Sequence, residues 1–188
     1  MKHRTGFLLA IVFSATAIGI ALSCGSSSAS RTLTEEAGPE VSATPAKVAA
    51  AGDAVFDGQK LERSDDEWKK LLTPEQFYIL REDGTDYPFK SQYHDNKVKG
   101  DYYCAACHLK LFSSNTKFDS GTGWPSFWQP VNKKNIVEKE DRSLGDVRTE
   151  VECARCGSHL GHVFEDGPEP TGLRYCINGT ALKFEKAK

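Results

Sequence analysis

The sequence has no block of basic residues long enough to hold a polyanion. Its 24 Lys and Arg are nearly balanced by 26 Asp and Glu, for a formal charge of -2. That excludes a nucleic-acid footprint. It has no apolar run of the roughly 20 residues a spanning helix requires. No internal repeat is evident, so repeat architectures are set aside. Beyond Pro88 there is no amphipathic helix of useful length, which argues against a helical fold. Free thiols are scarce as well. Six cysteines occur, four in two Cys-x-x-Cys units and one at the end of an apolar N-terminal stretch, so Cys176 is the sole cysteine left without an evident assignment.

What is present suits one soluble domain with additional sequence: 188 residues, 39% hydrophobic and 27% charged. The first 23 residues stand apart. Lys2 and Arg4 precede an uncharged apolar stretch from Gly6 to Leu22, the layout of an export signal. It ends Ala21-Leu22-Ser23-Cys24, which resembles a bacterial lipoprotein cleavage site with Cys24 as the lipidated residue. Ordinary signal-peptidase cleavage and an uncleaved anchor are the competing readings. Residues 24–58 are rich in Ser, Ala, Thr, Gly and Pro and poor in large apolar side chains. They read as a flexible linker that cannot bury enough surface to offset its ordering entropy. The domain is expected over 59–188. The expected location is the periplasmic side of a bacterial membrane, reached only through the N-terminal anchor; Gly25, in place of an Asp after the Cys, favours the outer membrane.

Two short helices are predicted at the start of the domain. Ser64-Asp65-Asp66-Glu67 forms a capping box before a helix running to Leu72, and Thr73-Pro74-Glu75-Gln76 repeats the signal, with a stop by Gly84. After Pro88, short β-branched and aromatic runs alternate with turn residues. They predict strands at Asp101–Cys104, Leu109–Phe112, Asn135–Glu140, Asp146–Glu152, His162–Glu165, Leu173–Ile177 and Ala181–Phe184. The expected class is mainly β, with antiparallel sheets in a sandwich or barrel.

Cys104-Ala-Ala-Cys107 and Cys153-Ala-Arg-Cys156 each close a predicted strand, where a tight turn aims two sulfurs at one point. Four thiolates satisfy and close a tetrahedral zinc sphere, which makes such a metal structural. Two disulfides, or one redox dithiol, are the competing arrangements in an exported protein.

Cys176 lies in Arg174-Tyr-Cys-Ile-Asn178. A buried inert thiol is the bland alternative. Arg174 and Asn178, two residues away on either side, share its strand face. The first can lower the thiol pKa, and the second can orient a substrate or water. His159 and His162, in Gly-Ser-His-Leu-Gly-His, can donate a proton to a developing oxyanion or, alternatively, replace a zinc ligand. Trp124, in Gly123-Trp-Pro-Ser-Phe127, sits on a bent loop suited to the wall of a small apolar pocket. Plain core is the alternative.

In Lys117–Phe127, the two Cys-x-x-Cys units, Gly157–Phe164 and Arg174–Asn178, the chain resembles the type B methionine sulfoxide reductases, over about residues 60–186. The resemblance implies two antiparallel sheets with short N-terminal helices and a structural zinc on Cys104, Cys107, Cys153 and Cys156. It implies reduction of the R epimer of methionine sulfoxide, free or in oxidised proteins and peptides, with Cys176 as the catalytic residue. His159, His162 and Asn178 match the polar groups of that site, Arg174 the arginine that helps activate the thiol, and Trp124, with Phe127 beside it, the substrate wall. Thr122 stands where many members carry a resolving cysteine. The resemblance therefore implies a one-cysteine enzyme, reduced by a thioredoxin-like or other external thiol. Gly179-Thr180 replaces the commoner Ser-Ala after the Asn.

Overall fold

The computed structural model describes residues 55–188; the expected signal 1–23, Cys24 and the linker up to residue 54 lie outside the described residues. Two helices open the domain, α1 (Asp65–Leu71) and α2 (Pro74–Arg81). Each begins on a complete capping box: the Ser64 and Thr73 side chains accept from the amides of Glu67 and Gln76, whose side chains accept in return from the cap amides. The helices are too short to persist alone. They are held by Trp68, Phe77, Ile79 and Leu80, all buried in the common core. Arg63 and Arg81 lie over the Trp68 ring at 5.6 and 5.5 Å.

The rest is β. The strands are β1 (Gly100–Cys104), β2 (Lys110–Ser113), β3 (Lys117–Phe118), β4 (Ser126–Phe127), β5 (Ile136–Asp141), β6 (Arg148–Cys153), β7 (His159–Phe164), β8 (Arg174–Ile177) and β9 (Leu182–Lys186). They form a three-stranded sheet, β2-β1-β9, and a six-stranded sheet, β3-β4-β8-β7-β6-β5, with every pairing antiparallel. The predicted class is the observed one, and all seven predicted strands are present. β3 and β4 were not predicted; at two residues each, neither can display an alternating pattern.

The core lies between the sheets. Tyr102, Phe112, Phe127 and Tyr175 are fully buried, and their rings pack edge to face, stacked or tilted at 4.5–5.9 Å. The burial pushes the Tyr102 hydroxyl up to about 12. Attachment to the domain begins ahead of the expected boundary at 59. The Phe56 amide donates to Asn135 Oδ1 at 2.8 Å and the Leu61 amide to the Arg155 carbonyl at 2.8 Å. Among the described residues, no helix is long and apolar enough to cross a membrane.

Candidate active site and metal centre

The two Cys-x-x-Cys units are the turns of two hairpins, β1–β2 and β6–β7, and their backbones match. The His108 amide donates to the Cys104 carbonyl at 2.8 Å and the Cys104 amide to Leu109 at 2.8 Å; Gly157 and Cys153 repeat the pattern at 2.9 and 2.9 Å, the second to Ser158. His108 and Gly157 both occupy the left-handed region (φ 61° and 64°) that such a turn requires. The turns bring Cys104 Sγ within 3.7 Å of Cys156 Sγ and Cys107 Sγ within 3.5 Å of Cys153 Sγ, with all four sulfurs within 4.8 Å of one another. A disulfide needs about 2.05 Å, so the competing disulfide arrangement is not the one formed. A tetrahedron of sulfurs about 2.3 Å from a central ion has edges of about 3.8 Å, and the observed spacings fit it. The four sulfurs can hold a metal ion. The Ser158 hydroxyl lies 3.2 Å from Cys156 Sγ, and Arg81 Nη1 donates to the Cys156 carbonyl at 3.0 Å, so the helix pair and the second cysteine turn brace each other.

The candidate active site is on the six-stranded sheet. Register places Glu150 on β6, His162 on β7, Cys176 on β8 and Ser126 on β4 directly opposite one another in a row. Paired residues in antiparallel strands share a face, so these four side chains emerge together. The row beside it, with Val163, Tyr175 and Phe127, points into the core. Gly161 makes the close approach possible: a Cβ there would sit 2.1 Å from the Cys176 carbonyl oxygen. Its place between the two histidines thus has a packing cause.

Each histidine has its own carboxylate. His162 Nε2 donates to Asp141 Oδ2 at 2.8 Å and His159 Nδ1 to Glu150 Oε1 at 2.5 Å, while the two rings meet edge to face at 5.5 Å. The second arrangement makes His159 a partner of Glu150, outside the cysteine cluster. Burial holds His162 below the ordinary imidazole range, against the raising effect of Asp141, so it is mainly neutral at pH 7. Asp141 is held well below the carboxylate range by the Ser143 hydroxyl and amide and by His162.

Arg174 shares the Cys176 face, as expected. Its guanidinium makes a two-pronged pair with Asp166 at 2.9 and 2.9 Å and lies 4.4 Å from the Phe164 ring centre. Burial pushes the half-buried Cys176 thiol up; the Arg174 charge and the Thr122 hydroxyl pull it down without cancelling that effect. Arg174 therefore lowers the thiol pKa, as expected of it, and burial outweighs that effect. Beyond the thiol a chain of hydroxyls runs from Thr122 Oγ1 to Ser120 Oγ (2.8 Å) to Ser126 Oγ (2.8 Å).

Two expected site residues are placed differently. Phe127, expected beside Trp124, is fully buried and stacked on Phe112 at 4.5 Å. Ser126 takes the Cys176 face, so strand alternation sends its neighbour into the core. Asn178 shows no free amide. Its Oδ1 accepts from the Asp86 amide at 2.9 Å, and its Nδ2 donates to the Leu160 carbonyl at 3.2 Å and to Gly84 at 3.5 Å. Trp124 is half-buried on its loop, its indole Nε1 donating to the Asp86 carbonyl at 3.0 Å. Glu150, Asp141, Asp166 and Asp86 were not singled out from the sequence; alternation along β6 puts Glu150 two residues from Glu152, and nothing local distinguishes the two.

Fold and site together define a mainly β domain with four cysteines clustered closely enough to hold a metal ion and, among the described residues, one further thiol, Cys176, on the face of the larger sheet. The SelR domain model matches residues 72–186, well over half the chain. The chain is 58% identical over 127 residues to a peptide methionine sulfoxide reductase MsrB of Methanosarcina mazei, covering 68% of this chain and 91% of that protein. It is 56% identical over 127 residues to the protein of that name in Leptospira interrogans, covering 68% and 97%. Against the one in Agrobacterium fabrum it is 56% identical over 126 residues, covering 67% and 93%. The chain belongs to the SelR family, the family of these MsrB proteins.

Proposed function

We propose that the chain reduces the R epimer of methionine sulfoxide, in oxidised proteins and peptides or free, and so repairs oxidative damage. The observation that carries this reading is the row Glu150–His162–Cys176–Ser126, which sets a thiol between a carboxylate-backed imidazole and a hydroxyl chain. The names of the relatives support the substrate class, and the family resemblance supports the R epimer.

The Cys176 thiolate attacks the sulfoxide sulfur while the oxygen gains a proton. The oxygen passes to Cys176, leaving methionine and a sulfenic acid one rung up the thiol oxidation ladder. His162, directly opposite the thiol, supplies the proton, and His159 holds its partner Glu150 and the neighbouring ring in place. Trp124 packs on the S-methyl group. With no second thiol beside Cys176, two equivalents of an external thiol, or one thioredoxin-like dithiol, return the sulfenic acid to thiol and release water. Cys104, Cys107, Cys153 and Cys156 would hold zinc in a structural role, since four thiolates would leave no position for substrate. The apolar N-terminal segment directs export, with Cys24 lipidated at the periplasmic side of the membrane.

The test is reduction of the separated epimers of methionine sulfoxide with dithiothreitol. Consumption of the R form alone, abolished in Cys176→Ser with metal retained, supports the proposal. Consumption of the S form, or activity in the Ser variant, overturns it. Radiolabelled palmitate on full-length protein, lost in Cys24→Ala, tests the anchor.

A further inference from the structure

The stretch 85–90 has no helix or strand, only a turn at its end, and its large side chains Tyr87 and Phe89 are 79% and 60% exposed. Core packing does not fix such a segment. Asp86 is half-buried within it and makes a hydrogen bond through each of its polar parts. Its amide donates to Asn178 Oδ1 at 2.9 Å, its Oδ2 accepts from the Thr180 amide at 2.9 Å, and its carbonyl accepts from Trp124 Nε1 at 3.0 Å. Three residues on, the Phe89 amide donates to the Gly123 carbonyl at 2.8 Å, so the stretch grips the Trp124 loop at two points. The other end of the grip is the catalytic strand. Asn178 follows β8 directly, and its amide donates to Leu160, between the two histidines, at 2.8 Å.

The geometry points to Asp86 as a positioning residue that fixes the Trp124 indole relative to Cys176, an inference that rests on the sulfoxide-reductase reading. An indole has one donor, and that donor is spent on Asp86. The carboxylate, held by Thr180, stops the carbonyl from turning away. Asn178 acts through the same link, which explains why its amide faces backbone and not the thiol. The connection also gives Gly179-Thr180 a role. A Cβ at 179 would lie 1.7 Å from Ser91 Oγ, so a side chain there would push Ser91 and its loop away from the Thr180 amide that holds Asp86.

The prediction separates substrate holding from thiol chemistry. Asp86→Ala raises KM for methionine-R-sulfoxide by about tenfold, since a misplacement of ~1 Å costs up to 10²-fold, while kcat and the rate of Cys176 alkylation by iodoacetamide hold steady. Asp86→Asn keeps an oxygen for Thr180 and restores KM. Acrylamide quenching of tryptophan emission increases in Asp86→Ala, and the increase vanishes when Trp124→Phe is added. In the wild type, the indole N–H resonance lost in Trp124→Phe exchanges slowly with solvent, a measurement that needs no folded variant at position 86. An indole proton exchanging at the solvent rate, an unchanged KM in Asp86→Ala, or an alkylation rate that falls as KM rises overturns the assignment. Should the wild type reduce neither epimer, the sulfoxide reading falls, and the exchange and quenching results still decide whether Asp86 holds Trp124.

Discussion

His162 and Cys176 stand directly opposite each other on β7 and β8, and the same burial drives them apart: it lowers the imidazole pKa and raises the thiol pKa. A neutral acid form is favoured for the sulfur and a neutral base form for the ring. The pair that reacts, thiolate with imidazolium, is thus the minor arrangement of two protons over two sites.

This ordering fixes the shape of the pH profile. The reactive population rises with pH until the imidazole titrates, stays level, and falls once the thiol titrates. The wild-type kcat/KM should therefore be flat-topped, its acid limb belonging to His162 and its alkaline limb to Cys176. His162→Gln removes the proton donor; the rate should drop about 10²-fold and then climb steadily into the alkaline range with the thiolate. A variant that keeps the alkaline limb would show that His162 is not the acid.

The four-cysteine cluster brings the β1–β2 hairpin of one sheet against the β6–β7 hairpin of the other, and β7 carries both histidines. Metal analysis should give one zinc per chain. Cys153→Ser, or chelation of the unfolded protein before refolding, should remove the metal and with it the cooperative thermal transition, because structural zinc contributes on the order of 10 kcal/mol in small domains. Activity should be lost with the fold. A metal-free protein with an unchanged melting temperature would refute a structural role.

Phe127 belongs to the core, so its truncation should act on stability. Phe127→Ala is expected to cost about 3–5 kcal/mol, read from denaturant unfolding. KM of the folded fraction should stay within about twofold, since the side chain lies on the far face of the sheet from Cys176. A raised KM with unchanged stability would return Phe127 to the substrate wall.

The Phe127 case shows what was legible and what was not. The helices were readable from the capping boxes at Ser64 and Thr73 because a box is complete within four residues. The metal turns were readable because Cys-x-x-Cys is a local motif. The faces around Cys176 were not, because β4 has two residues and no period of its own; its side chains are assigned by pairing with β8. Glu150 escaped notice for a similar reason. The register between β6 and β7 shifts between Val151 and Glu152, and that irregularity decides which glutamate faces His162. The Asp86 contacts span 38 to 94 residues of sequence and carry no local signal at all.

Thr122 lies near enough to the Cys176 thiol to pull its pKa down, and it follows Gly121, which gives the loop room to adjust. Thr122→Cys therefore places a second sulfur within reach of the first. Treated with methionine-R-sulfoxide and no reductant, the wild type should become one oxygen heavier at Cys176, the mass of a sulfenic acid. The Thr122→Cys variant should instead become two hydrogens lighter than its starting form, as the new thiolate displaces water from the sulfenic acid and leaves a 122–176 disulfide. With that bond formed, a thioredoxin-like dithiol should sustain turnover by disulfide exchange, where the wild type needs a thiol that can reach a sulfenic acid. An intrachain disulfide to Cys176 in the wild type would instead mean that a metal-site cysteine can leave its cluster to resolve the intermediate, and the one-cysteine reading would fail.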